Sequence, residues 1–306
     1  MSNQSTILGP LRGYTDLLDD ATNKKIKRDR MTGDEFQKTP IRPSASGDCE
    51  RALAYQLMQF HGKASYATDM INPELNRIFA LGHSVEWHVI KQFDLMKDMF
   101  EMRYKQQNLS FAYLTAKADP SMSQWLEGSL DMVFWSERYK CVADVKSKKN
   151  RFITKTRTDW DETAMKLQTM GSVEQISETA YWANDLPAFL DELSDPFFAS
   201  NFKQLNMYAN ATFLKERGVD HGSIIQYNKN DYRIREVRFR PSESLYLETV
   251  AKFQRSLDAA AAGEPERAAQ EFPLGSIKCG YCKYATQCRP DVDTKQAFFN
   301  SFRKRK

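Results

Sequence analysis

The segment LEGSLDMVFWSERYKCVADVKSKK, residues 126–149, constrains the fold more than any other stretch of the chain. Two runs rich in apolar, β-branched and aromatic residues flank a short polar stretch, a pattern typical of two strands joined by a turn. Charged side chains interrupt both runs: Asp131 stands in the first, and Asp144 and Lys146 stand in the second. Because charged residues seldom occupy strand positions where Val and Phe belong, these three indicate a chemical role.

The rest of the chain predicts helices packed around a small mixed sheet, an α/β fold. Alternation marks about three strands within residues 99–147 and a hairpin around residues 228–231. Residues 150–200 are aromatic and irregular, and they predict a helical insertion. Helical spacing and cap signals predict four further helices, over residues 44–62, 72–96, 201–218 and about 242–262.

These elements fit one elaborated domain over residues 41–292 of the 306-residue chain. Residues 1–40 are polar and charged with little periodicity, which predicts a partly ordered arm. Residues 293–306 form a basic C-terminal tail. The apolar runs are too short to cross a bilayer and the start of the chain is polar, so we expect a cytoplasmic protein without a membrane partner.

The charge of the chain is mildly basic, with a formal net charge of +4 and a pI near 8.6. Basic clusters occur at residues 24–30, 146–149 and 301–306. This balance is compatible with a polyanionic partner, but a basic cluster is more often a solvated surface than a binding site.

The charged residues of the two strands have the chemistry of a divalent-metal site. Lys146 lies two residues after Asp144, so both side chains lie on one face of their strand. If the strands are neighbours, Asp131 and Asp144 supply the hard oxygen ligands that Mg²⁺ prefers, and the carbonyl of Val145 can add another. A lysine beside such an ion can orient the attacking water or stabilise the charge that develops on a phosphate.

In these residues the chain resembles the PD-(D/E)XK nuclease superfamily, in which a G-x-x-D strand precedes a D/E-x-K strand. Here the two pieces are GSLD, residues 128–131, and DVK, residues 144–146. An upstream helix carries G-x-x-x-E, residues 82–86, where RecB-like members carry a His or Glu metal ligand. A downstream helix carries Q-x-x-x-Y, residues 204–208, a further RecB-like signature.

The resemblance implies a restriction-endonuclease-like core, a mixed central sheet flanked by helices, with an N-terminal helical region. It assigns Glu86, Asp131 and Asp144 to Mg²⁺ or Mn²⁺ and Lys146 to the water or the phosphate. Gln204 and Tyr208 would position the strand, since residues four apart share a helix face.

Three residues of the upstream helix, His83, Glu86 and His88, are candidate metal ligands. Glu86 is preferred because it occupies the motif position and because a carboxylate suits Mg²⁺ or Mn²⁺ better than imidazole does. His83 and Glu86 are three residues apart, so His83 is expected beside Glu86 as a supporting partner. His88 points elsewhere and is expected to pack structurally.

The cysteines form a second pattern, with Cys49 far upstream of a C-x2-C-x5-C run. The arrangement resembles the iron–sulfur staple of AddB-like and CRISPR-adaptation-type RecB-like nucleases. By that resemblance a [4Fe–4S] cluster would be held by Cys49, Cys279, Cys282 and Cys288, tying the first helix to the C-terminal segment. Structural Zn²⁺ at the same thiolates is the alternative. Cys141 is expected to be a buried strand residue.

The resemblance implies a metal-dependent DNA exonuclease, acting on single strands or DNA ends in recombination, repair or phage DNA metabolism. No Walker-type motif is present, so any helicase or recombination protein would be a partner. An endonuclease that trims DNA for CRISPR-like integration and a non-catalytic DNA-binding module are the alternatives. A further hypothesis is that Trp160 and Trp182, with Arg151, Lys155 and Arg157, contact unpaired bases beside the site.

Overall fold

The structure is a computed structural model. It describes residues 41–65, 73–96, 99, 101–114, 124–136, 140–148, 159–193, 195–280 and 282–303. The predicted arm, the basic cluster at residues 24–30, the last three residues of the tail, and Arg151, Lys155 and Arg157 lie outside the described residues.

A mixed sheet of seven strands forms the centre of the described part of the chain, in the order β1-β2-β3-β6-β7-β5-β4. The strands are β1 (Glu101–Leu114), β2 (Gln124–Trp135), β3 (Lys140–Lys148), β4 (Val173–Gln175), β5 (Ala180–Ala183), β6 (His221–Asn228) and β7 (Ile234–Phe239).

The first three strands form an antiparallel meander, which confirms the strands expected in residues 99–147. β6 pairs with β3 in parallel, and β6 and β7 form the expected antiparallel hairpin. A parallel pair requires a long crossover, and here the chain between β3 and β6 carries helices and the two short strands β4 and β5. β5 lies parallel to β7, and β4 closes this side of the sheet.

Ten α-helices occur in the described residues. They are α1 (Glu50–Phe60), α2 (Pro73–Leu95), α3 (Asp159–Thr169), α4 (Leu186–Glu192), α5 (Pro196–Ala209), α6 (Thr212–Lys215), α7 (Glu243–Ala262), α8 (Ile277–Gly280), α9 (Ala285–Cys288) and α10 (Thr294–Arg303). Two short 3₁₀ helices, Pro43–Gly47 and Pro265–Arg267, precede α1 and follow α7. None of the helices in the described part of the chain is both long and apolar enough to cross a membrane.

Local signals account for the ends of the long helices. The Ser242 side chain accepts a hydrogen bond from Leu245 N at the start of α7, and Gly263 ends this helix with a φ of 74°. Asp195 accepts hydrogen bonds from Phe197 N and Phe198 N at the start of α5. The predictions for α2 and α7 are confirmed to within one or two residues, whereas the helix expected over residues 44–62 begins later, at Glu50, after the 3₁₀ helix Pro43–Gly47.

Two helices cover the two faces of the sheet. Alternate residues of β3 and β6 face α5, where Val142 and Ile224 share a core with Phe202 and Tyr208. The residues between them face α2, and this second core contains Val89, Ile90, Ala143, Val145 and Ile225. Because side chains alternate along a strand, Asp144 and Lys146 lie on the α5 face.

Two sequence predictions were wrong in detail. The helix expected over residues 201–218 is two helices, because the Asn210 side chain donates to the Asn206 carbonyl and the chain is extended at Ala211. Residues 150–200 are not wholly helical, since β4 and β5 belong to the central sheet. These strands span three and four residues, too few to show alternation in the sequence.

Candidate functional site

β2 and β3 separate at Asp131. The paired residues run from Trp135 and Lys140 to Met132 and Ala143, and Asp131 is the next residue of β2. Its Oδ2 atom accepts a hydrogen bond of 2.8 Å from the backbone N–H of Val145. The carboxylate therefore replaces the main-chain acceptor at the point where the strands diverge, which fixes its position beside β3.

Asp144 and Lys146 form an ion pair on the α5 face of β3. The Nζ atom of Lys146 lies 2.6 Å from Oδ2 of Asp144, whose side chain is only 3% exposed. Burial alone would lower the pKa of Lys146, but the charges of Asp144 and Asp131 raise it above its ordinary value. The ammonium group is therefore charged at neutral pH and is held beside the side chains of Asp144 and Asp131.

Asp131 carries the clearest electrostatic sign of a functional site. Burial, followed by the charges of Asp144 and Glu86, raises the pKa of Asp131 to about 9. The carboxyl group consequently holds a proton at neutral pH when no cation is present. Perturbation of this kind, caused by burial together with specific charged neighbours, is characteristic of active sites.

Glu86 reaches this group from α2. A Cβ atom added at Gly82 would lie 3.5 Å from Ser147 Oγ, so the small residue one turn before Glu86 lies against β3. Oε2 of Glu86 lies 3.4 Å from Nδ1 of His83, and Oε1 accepts a 3.4 Å hydrogen bond from Gln106 Nε2. The structure thus places His83 beside Glu86, as expected from their spacing.

Gln204 and Tyr208 lie on α5, above the same strands. Burial, followed by the charge of Asp144, raises the pKa of Tyr208, which is hydrogen-bonded to Gln204. A Cβ atom added at Gly128 would lie 2.6 Å from the Tyr208 hydroxyl and 2.7 Å from Pro43 Cδ. Gly128 of the GSLD sequence therefore permits the close approach of the tyrosine to β2.

The donor set fits a hard divalent cation. Glu86 and Asp144 lie near enough to raise the pKa of Asp131, and carboxylate and carbonyl oxygens are the ligands that Mg²⁺ and Mn²⁺ prefer. A bound cation would favour the ionised form of Asp131, which burial and the charges of Asp144 and Glu86 disfavour. Within the described ranges, however, no set of three or more His, Cys, Asp or Glu side chains is gathered closely enough to hold a metal ion as it stands.

The four cysteines singled out in the sequence line one cavity of about 300 Å³. All are free thiols: Cys49 precedes α1, and Cys279, Cys282 and Cys288 come from α8, the turn after it and α9. Burial raises the pKa of Cys279 and of Cys282. The fold therefore brings together thiols that are distant in sequence. Cys141 is buried in β3, as expected.

An ionic cluster lies between the cysteine cavity and α5, and it could not be predicted from the sequence. Lys278 Nζ lies 3.8 Å from Asp48 and donates a 2.9 Å hydrogen bond to Ser200 Oγ of α5. Lys252, which is 7% exposed, donates to the carbonyls of Ser46 and Asp48. The segment from Pro43, which contacts Gly128, to Cys49 therefore joins the carboxylate site to the cysteine cavity.

The hypothesis that the tryptophans of the insertion contact unpaired bases does not hold for Trp160. Trp160 is buried, and the guanidinium group of Arg235 packs 4.4 Å from its ring. Trp182 packs edge-on against His221 in β6, with ring centroids 4.8 Å apart. Both side chains contribute to packing around the sheet, and Trp160 presents no surface on which an unpaired base could stack.

No family model matches the chain, and no curated protein matches it. Among the solved structures that align with it are two of low similarity. The crystal structure of SSO0001 shares 11% identity, covers 92% of this chain and 98% of its own, and gives a TM-score of 0.43. LHK-Exo in complex with dAMP shares 11% identity, covers 76% of this chain and 92% of its own, and gives a TM-score of 0.37. The interpretation of the site therefore rests on its own residues.

Proposed function

We propose that the chain is a divalent-metal-dependent deoxyribonuclease with a restriction-endonuclease-like core. The observation that carries the proposal is the convergence of Asp131, Asp144 and Lys146 where β2 and β3 separate, with Glu86 close enough to raise the pKa of Asp131. Metal-assisted phosphodiester hydrolysis uses carboxylates that hold the cation and a donor that stabilises developing charge, and these residues have that chemistry.

Each residue has a distinct role in this chemistry. Glu86, Asp131, Asp144 and the carbonyl of Val145 would hold Mg²⁺ or Mn²⁺, which stabilises charge on the phosphate and acidifies a bound water. Asp144 fixes the Lys146 ammonium on one side at 2.6 Å. An ammonium has three donors, so the others are directed at the attacking water or at a phosphate oxygen.

The proposed reaction is hydrolysis of a phosphodiester bond. The water oxygen attacks phosphorus and gives up a proton to solvent, the bond between phosphorus and the leaving sugar oxygen breaks, and that oxygen takes up a proton from solvent. Tyr208 is held by Gln204 near Asp144 and Asp131, so its hydroxyl can donate to a phosphate oxygen of the strand. Its raised pKa keeps the hydroxyl protonated, which this role requires.

The substrate that we propose is single-stranded DNA or DNA ends, cleaved as an exonuclease, with a helicase or recombination protein as a partner. Circular single-stranded DNA tests the mode of cleavage. An exonuclease leaves closed circles intact and degrades the linear form of the same sequence. Cleavage of the circles would show that the enzyme is an endonuclease and not an exonuclease.

For the cysteine cavity we propose a structural [4Fe–4S] cluster. The support is the meeting of four thiols at one cavity of about 300 Å³, a volume far larger than a single ion. Lys278, Lys283 and Arg289 also line this cavity, and their charges would offset that of a cluster ligated by four thiolates. Zn²⁺ remains the alternative, and the absorption spectrum of anaerobically purified protein separates the two.

The central test of activity compares wild type with Asp144→Asn. The variant keeps the size of the side chain and removes its charge, so cleavage of linear DNA in Mg²⁺ should fall to background. The matched control is Asp191→Asn, an exposed carboxylate on α4, which should cleave at the wild-type rate. Wild-type activity in Asp144→Asn would refute the assignment of the site.

A further inference from the structure

Gln106 has an unusual backbone conformation next to the proposed active site. Its φ is 49°, in the left-handed region that residues other than glycine seldom adopt inside a strand. The pairs Lys105–Met132 and Gln107–Leu130 flank it, so Gln106 lies opposite Asp131. Strained residues persist only where surrounding contacts hold them, and they concentrate at functional sites.

The left-handed conformation changes which way the side chain points. Neighbouring residues of a regular strand face opposite sides of the sheet. Here Lys105 Nζ lies 3.3 Å from Asp94 Oδ2, and Gln106 Nε2 lies 3.4 Å from Glu86 Oε1. Both acceptors belong to α2, so two consecutive side chains of β1 reach the same helix. The positive φ of Gln106 is what allows the second of these contacts.

We propose that Gln106 is a positioning residue that orients the Glu86 carboxylate towards Asp131 and Asp144. One oxygen of Glu86 is bound by Gln106, and the other lies 3.4 Å from His83 Nδ1, so the carboxylate is held from two sides. The amide of Gln106 donates without adding a charge, which leaves Glu86 free to ligate a cation. This inference rests on the proposed metal-dependent function.

A purely structural role for Gln106 predicts different effects of its substitution. Lys105 and Asp94 already join β1 to α2, so attachment of the helix does not require Gln106. If Gln106 only fastened the two elements, its loss would lower stability and leave metal binding unchanged. If it positions Glu86, its loss should weaken metal binding even in a variant that is more stable.

Substitution by glycine separates the two roles, because glycine adopts a positive φ without strain. Gln106→Gly in the full chain should raise the melting temperature and weaken Mn²⁺ binding about 10- to 100-fold, the range seen when partners of metal ligands are removed. The matched control is Gln107→Gly, a neighbouring exposed glutamine whose amide donates to Asn108 O. It should lower the melting temperature, as glycine in a strand does, and leave Mn²⁺ affinity unchanged.

Mn²⁺ affinity is measured by the loss of the free-ion electron paramagnetic resonance signal, and stability by differential scanning calorimetry. Wild-type affinity in Gln106→Gly would overturn the positioning role. If that variant does not fold, Gln106→Asn gives the same test, because asparagine tolerates the left-handed region and its shorter amide does not reach Glu86. Failure of the proposed function is distinct: wild type would not bind Mn²⁺, or Asp144→Asn would bind it equally well.

Discussion

The backbone N–H of Val145 donates a 2.8 Å hydrogen bond to the side chain of Asp131, one residue beyond the last paired residue of β2. It places the Asp131 carboxyl group against the D-x-K segment of β3, beside the carbonyl of Val145, which is a candidate oxygen ligand.

The stability of the metal-free protein should depend on the pKa of Asp131. Its pKa is about 9 in the folded protein, against an ordinary value of 3.8. Between these values the folded state binds a proton that the unfolded state has released, so the free energy of unfolding falls as pH rises, by at most about 1.4 kcal/mol per pH unit. Urea denaturation in EDTA at pH 6 and pH 8 measures this slope. Asp131→Asn should reduce it, and an unchanged slope would contradict the assignment.

Lys146→Gln should lower kcat by about 10²- to 10³-fold, as removal of a transition-state donor does, with little change in KM. Single-turnover cleavage at saturating enzyme measures the chemical step directly. Lys148→Gln is the control, because Lys148 follows on the same strand and makes only a loose pair with Asp195 at 3.8 Å. Equal effects of the two substitutions would argue for general charge attraction rather than a specific role for Lys146.

Gly128→Ala should destabilise the protein by about 1–3 kcal/mol, the usual cost of overpacking. The added methyl would lie 2.6 Å from the Tyr208 hydroxyl, while Gly171→Ala would meet nothing nearer than Glu192 at 3.9 Å and should change stability little. Tyr208→Phe in the Gly128→Ala background should restore only part of the loss, since Pro43 remains 2.7 Å away. Urea denaturation of wild type, Gly128→Ala, Gly171→Ala and the double variant Gly128→Ala/Tyr208→Phe measures these differences in the free energy of unfolding. Full tolerance of Gly128→Ala would show that Tyr208 does not pack closely on β2.

The cysteine cavity should hold a metal centre that stabilises the chain. Cys49→Ser should abolish the visible absorption of anaerobically purified protein and lower the melting temperature by about 10 °C, because the tie between α1 and the C-terminal segment is lost. Cys141→Ala is the control, since this thiol lies in β3 and away from the cavity lining. Retention of metal by Cys49→Ser, measured by elemental analysis, would exclude Cys49 from the ligand set.

Much of the candidate site could be predicted because short spacings determine which side chains share a face. Asp144 and Lys146 are two apart on a strand, and Gln204 and Tyr208 are four apart on a helix. The same holds for His83 and Glu86. Cys49 could be linked to the three later cysteines only through the resemblance to iron–sulfur nucleases, since spacing in sequence carries no information across so long a loop.

The parts that were missed depend on tertiary contacts. β5 is a strand because β7 lies beside it, and its four residues carry no signal of their own. Gln106 adopts a left-handed conformation although it is not a glycine, so the sequence does not indicate it. Its side chain contacts Glu86, which lies on α2. Nothing in the sequence around Lys278 indicates that its side chain is part of an ionic cluster. Its contact with Ser200 joins residues that are distant in sequence and arises only in the folded chain.

We propose that Glu86, Asp131 and Asp144 share one divalent cation beside Lys146. The position of the cation can be determined in crystals soaked in Mn²⁺, with anomalous scattering recorded near the manganese edge. We predict one strong anomalous peak bounded by the three carboxylates and the carbonyl of Val145, absent from crystals of Asp131→Ala. A peak elsewhere, or none in wild-type crystals at saturating Mn²⁺, would contradict the account.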